Sequence, residues 1–287
     1  MEINLEGLKK ILPNDGPNLS EVLKYFKKYK NELIVIKYGG NVFIDREIFN
    51  NFINDLVVLN KLGLDIVVVH GGGPRIKREL KKSNIKTKFI RGLRVTDKNI
   101  INIVEKVLID FNEDIVASLR KKGSKAISIN TKENNIIKVI PESEELGFVG
   151  IPDNVDIEII NNSIRRNLIP IISPLGLGAN NQTHNINGDH AAGAIAKALK
   201  SRRLLLMTNV EGVLDENNKL IDEISSTKIL KMIKDKTITE GMIPKINTCL
   251  DAVHNGVKAV AIIDGREKHS VLFEVFSDKG SGTLIRK

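Results

Sequence analysis

Two glycine clusters each follow a run of apolar residues, and loops of this kind can bind phosphate groups. Gly39-Gly40 follows the apolar run 33–37, and Gly71-Gly72-Gly73 follows the run 65–70. Glycine allows a close backbone approach, and the N–H groups of a loop that leads into a helix can face an anion. An ordinary tight turn explains either cluster alone. Both together, with Lys37 at the end of the first run, favour phosphate binding.

Other nucleotide-binding and catalytic motifs do not match the sequence. Neither cluster has the GxxxxGK[ST] spacing of a P-loop or the GxGxxG spacing of a dinucleotide site. The histidines are scattered, and His184 and His190 have no partner at metal-ligand spacing, so no metal site is predicted. We expect His70 and His190 to orient or pack against neighbouring groups, and Cys249 to lie in the core.

Strands that alternate with helices are expected to position these loops, because apolar runs and helical periodicity alternate along the chain. The predicted buried strands are 33–37, 65–70, 169–173, 204–208 and 258–264, and the predicted helices include 49–62, 188–199 and 242–254. Two further segments, 125–130 and 136–140, lie on either side of a Glu-Asn-Asn turn and predict a β-hairpin. The fold class predicted is α/β, a three-layer α/β/α sandwich with a mainly parallel central sheet.

Composition and charge indicate a protein of the cytoplasm. The single cysteine excludes an internal disulfide and fits a reducing compartment. The first residues include Glu2, Glu6 and Asp15 without a long apolar stretch, so neither a signal peptide nor a membrane span is expected. The formal net charge of +9 indicates either an anionic partner or a lysine-rich solvated surface. Its spread along the chain favours the second explanation, and no nucleic-acid partner is expected.

The first 30 residues are predicted to form a separate helical extension. Ser20 is the predicted N-cap of a helix in which Leu19, Val22, Leu23 and Phe26 share one face. The regular alternation of strands and helices begins only after this segment.

Six short motifs resemble the amino acid kinase family and occur in the order found there. They are IVIKYGGN (34–41), VVVHGGGP (67–74), GLRVTD (92–97), NINGDHAA (185–192), TNVEGV (208–213) and GMIPK (241–245). The resemblance is to the acetylglutamate kinase branch in particular. It implies a carbamate kinase-like fold and ATP-dependent phosphorylation of the γ-carboxylate of N-acetyl-L-glutamate to N-acetyl-L-glutamyl 5-phosphate, a step of arginine biosynthesis.

The resemblance also implies a role for each matching residue. Lys37 and Lys245 would be catalytic residues that stabilise the transferred phosphoryl group, and the catalytic Asp189 would pair with both. The residues implied to hold the substrate are Gly72, Gly73, Arg94 and Asn185. Those implied to bind ATP are Gly39, Gly40, Thr208, Asn209, Gly212 and Lys245, with Mg²⁺ held mainly by the nucleotide phosphates. Because the substrate carboxylate is already ionised at neutral pH, no general base is required.

Three positions depart from the family pattern. Glu240 stands where Gly or Asp is frequent, Gly188 where Ala is frequent, and Asn209 where Asp is frequent. The change at Asn209 is expected to weaken a polar contact near the nucleotide.

Arginine-inhibited members of the branch resemble this chain in having an extra N-terminal helix, which joins dimers into a ring-shaped hexamer. A homo-oligomer, either a dimer or a hexamer built as a trimer of dimers, is therefore expected, with L-arginine as effector. The alternative is a helix that docks on its own subunit. The allosteric residues implied are His269, Glu274 and Gly280. The expected domains are the extension 1–30, an amino-acid lobe 31–190 and an ATP lobe 191–287.

Two other functions fit parts of the sequence. The first is an aminoadipate or glutamate kinase whose substrate is linked to a carrier protein, because a basic surface would suit an acidic carrier. The second is a non-catalytic amino-acid sensor or nucleic-acid-binding regulator on the same fold. Retention of Lys37, Asp189 and Lys245 together argues against a protein without activity.

Overall fold

A computed structural model describes residues 5–39, 45–238 and 241–287. The helices of this part of the chain are α1 (Leu5–Ile11), α2 (Leu19–Tyr29), α3 (Arg46–Lys61), α4 (Gly73–Lys82), α5 (Lys98–Lys121), α6 (Glu158–Arg165), α7 (Gly188–Ala198), α8 (Ser226–Lys234), α9 (Ile243–His254) and α10 (Ser270–Phe276). Its strands are β1 (Leu33–Tyr38), β2 (Asp65–His70), β3 (Phe89–Ile90), β4 (Leu93–Arg94), β5 (Ala126–Ile129), β6 (Ile137–Pro141), β7 (Gly150–Val155), β8 (Ile169–Ile172), β9 (Leu175–Leu177), β10 (Thr183–Asn185), β11 (Arg203–Thr208), β12 (Glu223–Ser225), β13 (Ala259–Asp264) and β14 (Gly282–Arg286).

Within the described residues, the largest sheet has eight strands in the order β12-β14-β13-β11-β1-β2-β8-β5. Its neighbouring strands run parallel except for β13 and β14, which are antiparallel. Strand β1 lies near the middle, with Lys37 opposite Val69 of β2 and opposite Leu206 of β11. The predicted α/β class with a mainly parallel sheet is confirmed.

Side chains of β1 alternate between two hydrophobic cores, one on each face of the sheet. Ile34, Ile36 and Tyr38 belong to the cluster that includes residues of α3, α5 and α10. Val35 belongs to the cluster that includes residues of α7 and α9. Because side chains two apart on a strand share a face, Lys37 lies on the α7 and α9 side. Each core lies between the central sheet and one of the two helical layers of the predicted three-layer sandwich.

The hairpin predicted for 125–130 and 136–140 is wrong, because the two segments lie in different sheets. Strand β5 pairs with β8 in the large sheet, whereas β6 pairs with β7 and β9 in a four-stranded sheet. The side chains of β5 are mostly buried, while those of β6 alternate between buried and exposed at its start. The turn signal located the change of direction correctly, but burial decided which strands paired.

Two helices begin earlier than predicted, because their N-caps are Asn18 and Asp45. Asn18, not Ser20, caps α2 by accepting from the Glu21 N–H at 3.0 Å, and its extended backbone suits that position. Asp45 caps α3, which starts at Arg46 instead of Phe49. Both caps lie just outside the apolar pattern from which the helices were predicted.

The extension packs on its own chain through α2. Val22 is fully buried in the cluster shared with α10, and Lys24 and Tyr25 both contact Asp278 beyond the end of α10. Among the described residues, no helix is both long enough and apolar enough to cross a membrane. The predictions made for Gly40 and Glu240 concern residues outside the described part of the chain.

A buried histidine joins the extension to the α/β body. His269 Nδ1 lies 2.5 Å from Asp55 Oδ1 on α3, and its Nε2 lies 3.1 Å from Asp15 Oδ1 in the loop before α2. Burial raises the pKa of Asp55 to about 6, against the effect of His269, which lowers it. The hydrogen bond to Asp55 raises the pKa of His269. The imidazolium and the two carboxylates therefore stabilise one another.

Replacing His269 with Gln is expected to lower the free energy of unfolding by about 3 kcal/mol at pH 7, because Asp55 then has no charged partner. Without His269 the pKa of Asp55 rises above about 6, so its carboxyl group takes up a proton below that pH and the deficit shrinks. Urea unfolding at pH 5 and pH 7 measures both effects.

Lys268→Gln is the matched control, since within the described residues Lys268 forms its ion pair with the exposed Glu47, and loss of this pair should not change stability measurably. Equal stability of the His269→Gln and Lys268→Gln variants at pH 7 would contradict the role of the buried histidine.

Candidate functional site

Residues from three distant segments meet at the carboxyl end of β1. Lys37 is the penultimate residue of this strand, and Gly71 follows the end of the neighbouring β2. Helix α7 begins at Gly188 on the same side of the sheet as Lys37, and the Asn187 side chain caps it by accepting from the Asp189 N–H at 2.8 Å. Carboxyl ends of parallel strands beside a helix N-terminus commonly form ligand sites.

Asp189 forms ion pairs with both predicted catalytic lysines. Its Oδ1 lies 2.8 Å from Lys37 Nζ, and its Oδ2 accepts a hydrogen bond from Lys245 Nζ at 2.5 Å. The three side chains are only 10–15% exposed. The structure thus brings β1, α7 and α9 together around one carboxylate.

Burial sets the electrostatics of this triad. It lowers the pKa of Lys37, an effect that the nearby carboxylate of Asp189 partly opposes. Burial disfavours the charged form of Asp189 too, but the two lysines outweigh it and keep the pKa of Asp189 below its usual range. Asp189 is therefore ionised at neutral pH. Two amines share one carboxylate, so an anionic group placed between them would be strongly favoured.

Glycine is required where the backbone passes Lys37. A Cβ on Gly39 would lie 1.9 Å from Lys37 Nζ, and one on Gly188 would lie 3.2 Å from Lys37 Cε. The first contact is sterically impossible without moving the ammonium group, whereas the second is only tight. Gly39 therefore leaves the space that the Lys37 amine occupies.

A cavity of about 840 Å³ opens beside this triad. Six of the predicted site residues line it, namely Lys37, Gly72, Gly73, Arg94, Asn185 and Asp189. Its other charged lining residues are all basic: Lys77, Arg78 and Lys81 of α4. Because Asp189 is already paired, the cavity as a whole suits a small anionic ligand.

Arg94 is buried, and the position of its guanidinium group suits such a ligand. The residue is 8% exposed, its guanidinium carbon lies 4.7 Å above the Phe89 ring, and burial lowers its pKa. Its Nη1 is buried and has no hydrogen-bond partner among the described residues. A buried donor without a partner is costly, and a carboxylate is the group that a guanidinium binds best.

Two of the residues predicted to contact a nucleotide, Thr208 and Asn209, lie on the other side of β1 from β2. Thr208 ends β11, the strand that pairs with β1 opposite β2, and the exposed Asn209 follows it. Gly212 has a φ of +155°, and a Cβ there would lie 2.5 Å from Thr283 Oγ1. The glycine loop after β2 and the loop after β11 thus lie on opposite sides of Lys37.

The three predicted allosteric residues separate into two groups. Glu274 Oε2 accepts from the Ser281 N–H at 3.1 Å, and a Cβ on Gly280 would lie 2.9 Å from the same oxygen. Burial raises the pKa of Glu274. His269 instead contacts the carboxylates of Asp15 and Asp55 described above.

Several residues that shape the cavity were not predicted from the sequence. The basic side chains of α4 follow the second glycine cluster at positions 77, 78 and 81, and a helical-wheel reading of that segment would have grouped them. Phe89, which is 55% exposed, had no signal beyond its proximity to Arg94 in sequence. Leu108 of α5 lies against Gly72, a contact that only the fold reveals.

Metal ligands are not clustered in the described residues: no group of three or more His, Cys, Asp or Glu side chains there could hold an ion. The His70 ring is buried and bonded to the backbone, and Cys249 is buried in the core, as expected.

Comparison with known proteins places this site in context. Residues 32–264 match the model of the amino acid kinase family. The chain is 56% identical over 282 residues to acetylglutamate kinase of Pelagibacter ubique (strain HTCC1062), covering 98% of both chains. Two solved structures share the fold at low identity. N-acetylglutamate synthase from Neisseria gonorrhoeae, complexed with coenzyme A and N-acetyl-glutamate, matches with a TM-score of 0.84 and 20% identity, over 93% of this chain and 62% of that one. Carbamate kinase from Giardia lamblia bound to AMP-PNP matches with a TM-score of 0.66 and 15% identity, over 89% of this chain and 98% of that one.

Asp189→Asn is expected to lower the free energy of unfolding by about 3–5 kcal/mol at pH 7, because both buried lysines lose their counter-charge. Since the pKa of Asp189 is lowered in the folded state, its contribution is present above about pH 4 and is lost as the pH falls further. The deficit should therefore shrink in acid.

Urea unfolding from pH 3 to pH 7 measures this deficit. Asp251→Asn is the control, because Asp251 pairs with Lys197 on the surface and its loss should change stability by less than about 1 kcal/mol. A deficit for Asp189→Asn no larger than that of the control would show that the triad is not coupled.

Proposed function

The chain belongs to the amino acid kinase family, and from that premise we propose that it phosphorylates the γ-carboxylate of N-acetyl-L-glutamate with ATP, giving N-acetyl-L-glutamyl 5-phosphate. The observation that carries the proposal is the Lys37–Asp189–Lys245 triad beside a basic cavity. The relative that is 56% identical along nearly its whole length is an acetylglutamate kinase, which supports the same substrate here. The acyl phosphate product belongs to arginine biosynthesis.

Some residues of the site are proposed to bind the substrate, and others to stabilise the charge of the transferred phosphoryl group. In the proposal, Arg94 binds the α-carboxylate through its free Nη1, and Asn185 binds the amide part of the substrate. The N–H groups of Gly72 and Gly73 hold the γ-carboxylate. This carboxylate is the nucleophile, already ionised, so the protein needs to supply position and positive charge but no base.

The two lysines supply the charge. In the proposal, Lys37 Nζ and Lys245 Nζ bind the oxygens of the phosphoryl group as it moves, and Asp189 keeps both amines in place. A preorganised donor of this kind typically contributes about 100–1000-fold in rate. ATP supplies the phosphoryl group, and the residues proposed to bind it are Gly39, Gly40, Thr208, Asn209, Gly212 and Lys245.

Magnesium fits the same scheme. Mg²⁺ usually binds through phosphate oxygens and few protein ligands, and the described residues hold no cluster of acidic or histidine ligands. We propose that the ion is bound mainly by the nucleotide phosphates. We also propose that residues 31–190 form the amino-acid lobe and 191–287 the ATP lobe of a cytoplasmic enzyme. The two halves of the large sheet, 33–172 and 203–286, support that division.

The carrier-linked alternative is not favoured. The relatives matched along nearly the whole chain are acetylglutamate kinases, and the buried arginine of the cavity suits a small anion. Free N-acetyl-L-glutamate is therefore the substrate to test first.

Purified protein with Mg-ATP and N-acetyl-L-glutamate is expected to give a hydroxamate when hydroxylamine traps the acyl phosphate, with little product from glutamate, aspartate or aminoadipate. Lys37→Ala and Lys245→Ala should each lower kcat by about 100–1000-fold, because each removes one charged donor. Lys197→Ala, on the surface of α7, is the control and should keep full activity. Hydroxamate formation that required a carrier protein would support the alternative instead.

We further propose that L-arginine inhibits the enzyme and that the extension assembles dimers into a hexamer. The contacts of α2 with Asp278, and of Asp15 with His269, support a connection between the extension and the C-terminal stretch. A ligand bound near Glu274 and His269 would therefore act on the position of α2. Glu274 supplies a half-buried carboxylate for a guanidinium or an ammonium group.

Deleting residues 1–28 is expected to abolish arginine inhibition and reduce the particle to a dimer, as measured by activity against arginine concentration and by light scattering. Asp278→Ala, which removes the contacts with Lys24 and Tyr25, should weaken inhibition without changing activity in the absence of arginine. Unchanged arginine sensitivity after the deletion would reject the proposed site.

A further inference from the structure

A buried chain of hydrogen bonds lies beneath the Gly71-Gly72-Gly73 loop and has no part in the roles described so far. His70, the last residue of β2, is fully buried, and its Nδ1 lies 2.9 Å from the carbonyl oxygen of Gly71. Its Nε2 lies 3.2 Å from Nδ2 of Asn112, a fully buried residue of α5. Asn112 Nδ2 also donates to the carbonyl oxygen of Ile171 on β8, at 2.9 Å.

The partner of each ring nitrogen determines where the proton lies in this series of hydrogen bonds. A carbonyl oxygen can only accept, so His70 Nδ1 carries the proton and donates to Gly71. The neutral ring then has a lone pair on Nε2, which accepts from one hydrogen of the Asn112 amide while the other binds Ile171. Burial lowers the pKa of His70 to about 4, so the ring is neutral at neutral pH. The Gly71 carbonyl and the Asn112 amide therefore both favour the Nδ1–H tautomer.

The tautomer affects the orientation of the peptide group between Gly71 and Gly72, because the His70 ring donates a hydrogen bond to the Gly71 carbonyl. The Gly71 N–H donates to the carbonyl oxygen of Tyr38 at 2.8 Å, and the Gly71 carbonyl accepts from the buried ring. In a trans peptide, the C=O of one residue and the N–H of the next point in opposite directions. No described peptide bond is cis. The Gly72 N–H is therefore directed away from the buried ring, and Gly72 lines the cavity.

We propose that Asn112 is a positioning residue for phosphoryl transfer: it fixes the His70 tautomer that anchors the Gly71 carbonyl and so aims the Gly72 N–H at the reacting carboxylate. Asn112 acts through His70 and touches no substrate. The alternative tautomer would set the Nδ1 lone pair against the Gly71 oxygen, and the repulsion would rotate the peptide group. The inference rests on the proposed function of the cavity, because the group aimed at the cavity is a donor for a carboxylate.

Asn112→Leu removes both donors at similar size and tests the proposal. With misaligned Gly72, kcat/KM for N-acetyl-L-glutamate is expected to fall by about 100-fold while KM for ATP is unchanged. Nitrogen-15 NMR of labelled histidine should show the Nδ1–H tautomer of His70 in the native protein and a smaller fraction of that tautomer in the variant, where only the Gly71 carbonyl still favours it. Leu119→Ala, about 10 Å further along the same helix, is the control for lost packing and should leave both readouts unchanged.

A second pair of variants tests the proposal if Asn112→Leu does not fold. His70→Asn keeps an N–H near the position of Nδ1, whereas His70→Phe keeps an aromatic ring without a donor. The proposal predicts at least tenfold higher kcat/KM for His70→Asn than for His70→Phe, even where both are equally destabilised.

Equal activity of these two variants, or the native tautomer and native kinetics in Asn112→Leu, would overturn the proposal. Failure of the proposed function is distinguishable from this result. A native protein that forms no hydroxamate would reject the substrate, whereas the NMR measurement tests the hydrogen-bonded chain without any turnover.

Discussion

The sharing of one buried carboxylate by two amines is the interaction on which the rest of the site depends. Removing three ionisable groups from water is costly, and the cost is met only if Asp189 contacts both Lys37 and Lys245 with good geometry. The pairing therefore fixes β1, α7 and α9 relative to one another. It also leaves one amine in excess of the carboxylates, which makes the cluster a site for an added anion. The same ion pairs thus determine both the positions of these elements and the affinity of the site for an anion.

The large sheet explains how residues so far apart in sequence reach this position. The carboxyl ends of β2, β1 and β11 are adjacent, so the glycine loop after β2 and the loop that follows Thr208 lie on either side of Lys37. Alternation along β1 directs Lys37 to the face covered by α7 and α9. An acceptor on one side and a phosphoryl donor on the other would then meet at the lysine. This order follows from strand topology alone and would survive many changes of side chain.

Much of this arrangement was predictable from sequence, and the exceptions have physical causes. Continuous apolar runs identified β2 and β13 almost to the residue, since a strand buried on both faces has no other signature. The hairpin failed because pairing depends on distant partners such as β8. Asn112 interrupts the apolar face of α5, a visible signal, but its partner His70 is 42 residues away. Likewise, nothing local connects His269 with Asp55, which are 214 residues apart. Contacts between residues so far apart in sequence depend on the complete fold and leave no local signal in the sequence.

A crystal structure with ADP, Mg²⁺, aluminium fluoride and N-acetyl-L-glutamate tests the central claim most directly, because aluminium fluoride imitates a phosphoryl group in transfer. We expect Nζ of both Lys37 and Lys245 within hydrogen-bonding distance of the fluoride ligands, with Asp189 still contacting the two amines. A structure in which the two amines faced different cavities, with the ligands bound, would contradict the account.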